Sequence, residues 1–347
     1  MDWNKYTISL DSSVLDVLKQ IDKTPDIQTV FVLNTTKEVI GSITDGDIRR
    51  GFISGLTLED PISKYLFKDF HFIEQGKDNF QKLKLFRDRK LKAVPLLSED
   101  KKLVKIIDFT TAKSILPVDA VIMAGGKGSR LKPLTNDTPK PLLKVGEKEI
   151  ISYNFDRLYQ FGITRQYVSI NYLGEQIESF CKGYNENITF RIINENEYIG
   201  TAGALSLIDD FHNNTVLLMN SDLLTNIDYE DFYKTFLNTG ADIMVASIPY
   251  QVNLPYAIFD AVDRNVSAFK EKPNYTYFAN AGIYLIKKEV INIIPKSTFF
   301  DATDLMDMVI KSNNKLIHYP IRGYWLDIGN HEDFEKAQKD IAHIDFD

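Results

Sequence analysis

The chain has 347 residues, enough for two domains, and 44% of them are hydrophobic, which provides for two cores. Its net charge of −7 argues against a general nucleic-acid or anionic-membrane surface, although a local basic pocket is compatible with it. The single cysteine, Cys181, excludes an internal disulfide, and the polar start MDWNKYTISL and the lack of a membrane-length apolar run predict a soluble cytoplasmic protein with no nucleic-acid or membrane partner.

The first part of the sequence contains a unit that occurs twice. The first copy has a helical stretch, SSVLDVLKQID, a strand, TVFVL, a polar turn, NTTKE, and a second strand, VIGSI. The second copy has DNFQKLKLFRDRK, AVPLL, SEDKK and LVKII in the same order. This repeat, at a spacing of roughly sixty residues, predicts two small α+β modules that share one interface. We place them at residues 1–60 and 61–116, before a larger domain at 117–347.

The segment GSITDGDIRR gives this part of the chain its resemblance to a tandem pair of CBS domains. In that family a Thr-x-x-Asp step binds the ribose and phosphate of adenine nucleotides, so the resemblance implies a regulatory nucleotide at Thr44 and Asp47. A carboxylate at a helix start can accept bonds from ribose hydroxyls while free N–H groups meet phosphate. Alternatively, the two residues only cap a helix and the pair is a dimerisation module. The second copy has Asp108 and Thr111 at these positions, so we expect no second site of this type.

From Val118 onward the sequence alternates between strands and helices. The predicted elements are VDAVIMA (strand), EIISYNFDRLYQFG (helix), QYVSINY (strand), GEQIESFCKG (helix), ITFRII (strand), TAGALSLIDDF (helix) and TVLLMNSD (strand). Continuous apolar strands between helices predict an α/β fold with a mostly parallel mixed sheet and helices on both faces. Ligands bind such sheets beyond the carboxyl ends of the strands. The glycine loop after VIMA, the NY after VSI and the SD after LLMN are therefore expected to meet at one edge.

The loop AGGKGSRL follows the first of these strands. Its spacing matches neither a Walker loop nor G-x-G-x-x-G. Gly125, Gly126 and Gly128 nevertheless permit close backbone approach, and successive N–H groups can point at phosphate oxygens. Arg130 adds a planar fork for bidentate phosphate contact, and Lys140, between the two prolines of TPKPLL, adds an ammonium group on a stiff mount. These properties predict an anion-binding loop.

An ordered series of motifs then makes the resemblance specific. AGGKGSRLKPLTNDTPKPLLKVG is followed by NYLGEQI, GTAGAL, LLMNSD, FKEKP, NAGIYLI and YWLDIGN. Over residues 118–335 this series resembles nucleotidyltransferases that make nucleotide sugars from a nucleoside triphosphate and a sugar 1-phosphate, and it implies their Rossmann-like, GT-A-like fold. Transfer of the nucleotidyl group releases pyrophosphate. We also expect a homo-oligomer.

The resemblance implies roles for five charged residues. Arg130 and Lys140 would contact the triphosphate, and Lys272 of EKP would meet the incoming sugar phosphate. Asp222 and Asp327 would hold Mg²⁺, since one or two carboxylates plus substrate phosphates are the usual ligands of that ion. In-line attack on the α-phosphorus needs charge neutralisation and alignment more than proton transfer. Each carboxylate could instead be an ordinary turn residue.

Further residues are assigned to the nucleotide or the sugar by their place in the motifs. The nucleotide would contact Ala124, Gly125, Gly126, Gly128, Ser129, Asn171, Tyr172, Gly200, Thr201, Ala202 and Ser221. The sugar would contact Glu197, Glu271, Asn280, Ala281 and Gly282. Glu197 could equally be a solvated loop carboxylate.

A CBS pair in front of such a domain resembles bacterial guanylyltransferases that act on glucosamine 1-phosphate in the legionaminic acid pathway, which favours GTP and a hexosamine 1-phosphate. Uridylyl, cytidylyl and thymidylyl transfer share the same motifs and remain open. A non-catalytic nucleotide-sensing protein is a rival of another class, but the five charged residues are all present. A transferase that consumes a nucleotide sugar is a second rival, but this strand ends in Asn220-Ser221-Asp222 rather than Asp-x-Asp.

Overall fold

A computed structural model describes residues 3–75, 77, 79–110 and 112–344. The chain divides into an N-terminal unit, Met1–Leu116 with Gln160–Gly162, and a C-terminal unit, Pro117–Tyr159 with Ile163–Asp347. Among the described residues, no helix has both the length and the apolar character that crossing a bilayer requires.

The N-terminal unit repeats one arrangement of strands and helices. Its elements are β1 (Thr7–Ser9), α1 (Val14–Asp22), β2 (Thr29–Leu33), β3 (Val39–Thr44), α2 (Asp45–Ile53), β4 (Ile73–Glu74), α3 (Phe80–Asp88), β5 (Ala93–Leu97) and β6 (Leu103–Asp108). The sheets β1-β2-β3 and β4-β5-β6 each have a parallel first pair and an antiparallel second pair. The predicted order of helix, strand, turn and strand is confirmed in both copies.

The two copies correspond at a spacing of 64 residues. Thr29 lies opposite Thr44 in the first copy and Ala93 opposite Asp108 in the second, and 93 − 29 and 108 − 44 both equal 64. Each hairpin has a register irregularity between the fourth and fifth residues of its first strand. The alignment of Asp108 with Thr44, read from the sequence, is therefore correct.

Equivalent positions of the two copies also meet each other. Glu38 and Lys102, again 64 residues apart, form an isolated antiparallel bridge. Buried residues from both copies share one apolar cluster, made of Phe31, Val39, Leu97 and Ile106. Contacts between equivalent positions are what an approximate two-fold relation produces.

The copies differ at their ends. α2 follows β3 directly, whereas residues 109–110 and 112–117, the described part after β6, contain no helix. Thr111 lies outside the described residues. Ile62, Tyr65 and Leu66 pack on the core of the first copy, so that core extends past the boundary that we placed at residue 60.

The C-terminal unit is built on a seven-stranded sheet. Its elements are β7 (Val118–Met123), β8 (Lys144–Val145), β9 (Lys148–Glu149), α4 (Ile150–Gln160), β10 (Arg165–Ile170), α5 (Gly174–Tyr184), β11 (Thr189–Asn194), β12 (Thr215–Asn220), β13 (Leu223–Thr225), α6 (Tyr229–Thr239), β14 (Ile243–Asn253), β15 (Ile258–Val262), β16 (Asn265–Lys270), β17 (Asn274–Lys287), α7 (Lys288–Ile291), α8 (Ala302–Lys311), β18 (Leu316–Pro320), β19 (Trp325–Asp327) and α9 (His331–Asp340).

The order of strands in this sheet is β11-β10-β7-β12-β17-β14-β18. The pairs among β11, β10, β7 and β12 are parallel, and β17 runs antiparallel to β12 and β14. The predicted mostly parallel mixed sheet is confirmed. The central strand β7 is buried at all but its last residue, because both faces of the sheet are covered there.

The prediction of a helix over TAGALSLIDDF is wrong. Only a short 3₁₀ turn, Gly203–Leu207, forms there. The N–H groups of Ala202 and Gly203 donate to the carbonyl of Phe300, at 3.0 and 2.8 Å, instead of bonding within a helix. A partner almost one hundred residues away in sequence therefore overrides the local helical pattern.

Two strands of the sheet continue beyond it as an arm. The halves of β14 and β17 that pair from Ser247 and Asn280 outward to Asn253 and Asn274 are mostly exposed. The antiparallel pair β15 and β16 lies in the connection between them, and every residue of both strands is exposed. We call residues 248–279 the arm.

Candidate active site at the carboxyl ends of the strands

The loops that follow β7 and β12 line one cavity, as predicted. Its volume is about 170 Å³, and its walls are formed by Met123, Gly125, Gly126, Lys140, Pro141, Tyr198, Thr201, Asn220, Ser221 and Asp222. The loop after β10 lies beside this cavity, as the distance from its residue Asn171 to the glycine loop shows. A Cβ atom on Gly125 would lie 3.2 Å from the Cβ of Asn171. Parallel strands bring these loops together because their carboxyl ends share one edge of the sheet.

The glycine loop is shaped by close packing at two of its glycines. A Cβ atom at Gly125 would also lie 3.4 Å from Oε1 of Glu195. Gly128 has φ +57°, in the left-handed region, and a Cβ atom there would lie 3.0 Å from the Cβ of Lys140. Glycine at 128 thus lets the loop turn directly over the lysine.

The other residues of this loop differ in how available their backbone is to a ligand. The N–H of Ala124 donates to the carbonyl of Ser169 at 2.8 Å, so it belongs to the sheet. A Cβ atom on Gly126 would meet nothing within 4 Å, and Gly126 is exposed. Ser129 is exposed and begins a 3₁₀ turn, Ser129–Leu131. Gly126 is the position with room for a ligand against the backbone.

Lys140 lies between two carboxylates. Its Nζ donates a hydrogen bond to Oδ2 of Asp222 and lies 4.0 Å from Oδ1 of Asp327. The side chains of Lys140 and Asp222 are only 10% and 20% exposed, so water screens this group weakly. The carboxylates meet because β13 pairs with β19, which sets Leu223 opposite Asp327, and because the N–H of Ile328 donates to the carbonyl of Asp222 at 3.1 Å.

Each of these two carboxylates keeps one oxygen without a hydrogen-bond partner. Oδ1 of Asp222 and Oδ1 of Asp327 are both buried, and neither accepts a hydrogen bond from any described residue. Burial and the Asp222 carboxylate raise the pKa of Asp327 to about 6, against the opposing effects of Lys140 and Arg130. Two carboxylates with free oxygens suit a divalent cation.

This pair would supply only part of the coordination of such an ion. The described residues contain no group of three or more His, Cys, Asp or Glu side chains that could hold a metal. Mg²⁺ keeps several waters and is bound through one or two carboxylates plus substrate phosphates. The donor set therefore fits Mg²⁺ bound together with a phosphorylated substrate, as predicted for Asp222 and Asp327.

Arg130 is exposed beside this cluster. A Cβ atom at Gly329 would lie 3.4 Å from one guanidinium nitrogen of Arg130, which places the guanidinium beside the loop that follows Asp327. The charge of Arg130 lowers the pKa of Asp327. The guanidinium thus lies beside the same carboxylate as Lys140, and its contact with a triphosphate stays a prediction.

The predicted base-side residues after β10 hold loops in place through their side chains. Asn171 Nδ2 donates to the carbonyl of Glu195 at 2.7 Å. The hydroxyl of Tyr172 donates to the carbonyls of Thr135 and Asn136 at 3.1 and 3.0 Å. In the structure these side chains support the loops, which leaves backbone groups to face a ligand.

Glu195 is a residue that the sequence reasoning missed. It is 4% exposed. Its carboxylate accepts hydrogen bonds from the Ser169 hydroxyl and, at 3.1 Å, from the N–H of Ile199, and it packs against Gly125. One buried carboxylate therefore joins the glycine loop, the end of β10 and the loop before GTAGA. Its neighbour Glu197, which we selected instead, is exposed and is not among the cavity-lining residues.

A second missed segment holds the GTAGA loop. Gly200 has φ +84°, and a Cβ atom there would lie 2.6 Å from the carbonyl oxygen of Phe300. The N–H of Thr201 donates to Oδ1 of Asp301 at 3.0 Å, and Thr201 Oγ1 accepts from the N–H of Ala302 at 2.8 Å. The sequence STFFDA carries no signal of this docking, which depends on contacts about one hundred residues apart.

The predicted sugar-side residues fall into two groups. Ala281 is fully buried, and its carbonyl accepts from Trp325 Nε1 at 2.9 Å. A Cβ atom on Gly282 (φ +71°) would lie 2.8 Å from Nδ2 of Asn220, a cavity residue, and the N–H of Gly282 donates to Oδ1 of Asn280 at 2.9 Å. This motif therefore backs the cavity wall.

Glu271 and Lys272 form the other group. Both are exposed in the arm, between β16 and β17 and next to its outer pair, Asn253 and Asn274, and neither is among the cavity-lining residues. Lys272 has φ +41°, an unusual backbone conformation for a lysine. The structure therefore does not bring these two residues together with Lys140 and Asp222, and their role at the sugar stays a prediction.

The model of the nucleotidyl transferase family matches residues 119–344, nearly the whole C-terminal unit. This chain belongs to the nucleotidyl transferase family. A CBS-domain model matches residues 1–54, so the transferase domain follows a CBS domain, and the copy after it has the same topology.

Several known nucleotidyl transferases are similar to this chain. The mannose-1-phosphate guanyltransferases of Schizosaccharomyces pombe and Saccharomyces cerevisiae are 31% and 29% identical to it over 229 and 227 residues. The aligned part spans 62% of this chain and 62% of each relative. The solved structure of HddC from Yersinia pseudotuberculosis is 28% identical, with a TM-score of 0.50 over 64% of this chain and 99% of that one.

In the CBS domain of this nucleotidyl transferase, Thr44 and Asp47 form a capping box at the start of α2. The Asp47 N–H donates to Thr44 Oγ1 at 3.2 Å, and Asp47 Oδ2 accepts from the N–H and hydroxyl of Thr44 at 2.8 and 2.6 Å. Asp47 Oδ1 accepts from Arg50 at 2.6 Å. The alternative role of helix capping is thus realised, and nucleotide binding at the same pair stays a prediction.

Proposed function

We propose that this protein transfers the guanylyl group of GTP to a hexose or hexosamine 1-phosphate, forming a GDP-sugar and pyrophosphate. The observation that carries the proposal is the group of Lys140, Asp222 and Asp327 beside the glycine loop. It combines a cation for phosphate, two carboxylates with free oxygens and a backbone open at Gly126. Phosphoryl chemistry needs these groups, because its transition state is stabilised by positioned charge.

The reaction would proceed by in-line displacement. An oxygen of the sugar phosphate attacks the α-phosphorus of GTP while the bond to the β-phosphate oxygen breaks, and pyrophosphate leaves with the electron pair. The glycine loop holds the triphosphate by its N–H groups, and Arg130 and Lys140 balance the charge that gathers on the leaving pyrophosphate. Lys272 would neutralise the attacking phosphate if the arm brought it to the cavity.

Asp222 and Asp327 would hold Mg²⁺ through their free oxygens. The bound ion supplies Lewis-acid neutralisation of phosphate charge, an effect worth several kcal/mol in such sites. Lys140, which donates to the other oxygen of Asp222, keeps that carboxylate oriented. The chain's own contribution is therefore orientation of the carboxylates and exclusion of water by burial.

The relatives support guanine over other bases, because the S. pombe and S. cerevisiae proteins are mannose-1-phosphate guanyltransferases. They also make mannose 1-phosphate a candidate substrate. The CBS domain in front of the transferase domain supports a hexosamine 1-phosphate, as argued from the sequence. Both sugars belong in the assay.

The test is pyrophosphate release with GTP, ATP, UTP, CTP and dTTP against mannose, glucose and glucosamine 1-phosphates. Mg²⁺ is added in one series and EDTA in the other. We expect GTP with one of these sugars to react fastest, and only with Mg²⁺. Folded protein that releases no pyrophosphate with any pair contradicts the proposal, and a faster reaction with another base corrects the choice of GTP.

For the N-terminal unit we propose a regulatory nucleotide at Thr44 and Asp47, in a homo-oligomeric enzyme. The capping box leaves part of the Asp47 carboxylate available, because a carboxylate has about four acceptor positions and three are used here. Dimerisation alone is the alternative role of this unit. Calorimetry with AMP, ATP and GTP on the whole chain, combined with its molar mass in solution, tests both.

A further inference from the structure

Two large aromatic side chains stand exposed at the cavity. Tyr198 lines the cavity and is 47% exposed, and Phe299 beside it is 56% exposed. Their ring centroids are 6.0 Å apart, with 64° between the ring planes. Tyr198 comes from the loop before GTAGA, and Phe299 comes from the segment before α8. The sequence analysis assigned neither residue a role.

The backbone that carries these rings is held in place. The N–H of Phe300 donates to the carbonyl of Ile199 at 2.8 Å, and the N–H groups of Ala202 and Gly203 donate back to the carbonyl of Phe300. The Asp301 carboxylate accepts from the N–H of Thr201. Each ring is thus attached next to a residue in this set of bonds, so the backbone that carries it needs little ordering when a ligand binds.

The cavity itself is too small for a whole nucleotide. Its volume of about 170 Å³ is below the roughly 300–1,000 Å³ that is usual for ligand pockets. Lys140, Asp222 and the open backbone at Gly126 account for the phosphates. The base must therefore extend past the enclosed part, and Tyr198 is the aromatic surface in the lining that it can reach.

We propose that the nucleobase stacks on Tyr198 and that Phe299 braces the tyrosine ring from behind. The inference rests on the proposed function and specifies how its nucleotide is held. A planar base matches a flat π face better than a sugar ring does, and the predicted sugar residues Asn280, Ala281 and Gly282 belong to another strand, β17. Stacking is also indifferent to the kind of base, since every base has a π face.

Binding of GTP and turnover are measured separately on Tyr198→Ala, Tyr198→Leu, Tyr198→Phe and Phe299→Ala. Base–aromatic stacking of the usual strength predicts a loss of about tenfold in GTP affinity for Tyr198→Ala and Tyr198→Leu. Tyr198→Phe keeps the flat ring and binds normally, and Phe299→Ala shows a smaller loss. KM for GTP rises by the same factor, while KM for the sugar 1-phosphate stays unchanged. Leu237→Ala, which removes an exposed apolar side chain from α6, is the control.

Tyr198→Leu keeps apolar bulk, so it separates stacking from simple packing and guards against an unstable alanine variant. Normal GTP affinity in Tyr198→Leu overturns the proposal, and so does a rise in KM for the sugar phosphate alone. If the wild type binds GTP but transfers nothing, while Tyr198→Leu binds GTP about tenfold more weakly, the proposed function fails and the stacking site stands. If the wild type turns over and all four variants bind GTP normally, only the stacking site fails.

Discussion

Acidic side chains in the two units differ in what contacts their oxygens. In the N-terminal unit both oxygens of Asp47 accept hydrogen bonds, from the N-cap residue Thr44 and from Arg50 of α2. In the C-terminal unit Asp222 and Asp327 each keep a buried oxygen that accepts no hydrogen bond from the described residues. In the first arrangement each oxygen has at least one protein partner, and in the second one oxygen of each carboxylate has none among the described residues.

This difference separates a structural feature from a binding feature. A buried polar atom without a partner costs roughly 1–3 kcal/mol, and more when it is charged. A fold keeps such atoms where a ligand supplies the missing bonds. A capping box needs no ligand, because it satisfies the backbone of its own helix. Because Asp47 is hydrogen-bonded within its own helix, its Thr-x-x-Asp motif is weaker evidence for a nucleotide site. The buried oxygens of Asp222 and Asp327 that accept no hydrogen bond are stronger evidence for a metal site.

The largest effect is expected from removing the unsatisfied carboxylates. Asp222→Ala and Asp327→Ala should each lower turnover by about a thousandfold or more, since each removes a metal ligand worth several kcal/mol. Circular dichroism should show an intact fold, and pyrophosphate release measures the rate. Asp209→Ala, at an exposed carboxylate, serves as the control. Near-normal rates in both site variants would mean that the metal site lies elsewhere.

Removing the cation between the two carboxylates should destabilise the enzyme. Lys140→Met leaves Asp222 and Asp327 without the charge that balances them, and breaking a buried pair in this way costs about 3 kcal/mol of unfolding free energy. The double variant Lys140→Met/Asp327→Asn should recover part of the loss by removing one of the negative charges. Urea unfolding in EDTA measures both. Equal stability of the single and double variants would show that the carboxylates do not repel each other.

The stability of the metal-free enzyme should depend on pH through Asp327. Its pKa is raised to about 6 in the folded chain, so the folded state holds a proton that the unfolded state, near 3.8, releases. This contribution is fully present below pH 4 and is lost as the pH rises through 6. Because the side chain is 41% exposed, we expect only about 1 kcal/mol after solvent screening.

Asp327→Asn measures this contribution directly. Relative to the wild type in EDTA, the variant should gain stability as the pH rises from 4 to 7, by thermal or urea unfolding. Mg²⁺ should narrow the difference at pH 7, because it stabilises the wild-type carboxylate pair. A difference that does not change with pH would exclude the raised pKa.

The smallest effect is expected at the capping box. Thr44→Ala and Asp47→Ala should each lower the unfolding free energy by about 1 kcal/mol through the lost cap. If the predicted nucleotide binds, calorimetry will show at most one per chain, and Asp47→Ala will abolish it. A wild-type chain that binds no AMP, ATP or GTP at millimolar concentration is better explained by dimerisation. Either result shows whether the capping-box residues bind a ligand, as the transferase site is proposed to do, or only stabilise α2.

The sequence predicted the parts of this molecule that depend on local pattern. The paired modules, the parallel strands and the glycine loop follow from periodicity and from residue types with special backbone freedom. The helix over 201–211 failed because Phe300, distant in sequence, takes its N–H groups. Glu195 and Phe299 were missed because burial beside Ser169 and contact with Tyr198 arise only when separate segments pack. Contacts of this kind produce no sequence motif with a fixed residue spacing.

The arm described above has consequences for local dynamics. Two paired strands without a covering layer are marginally stable in water, and β15 and β16 have every residue exposed. Their amide protons should exchange with solvent much faster than those of β7 and the buried half of β14, because the arm can open without unfolding the sheet. Lys272 lies between β16 and β17, in the outer part of this arm. We therefore expect the position of Lys272 to vary more than the positions of Lys140 and Asp222, which lie at the edge of the buried sheet.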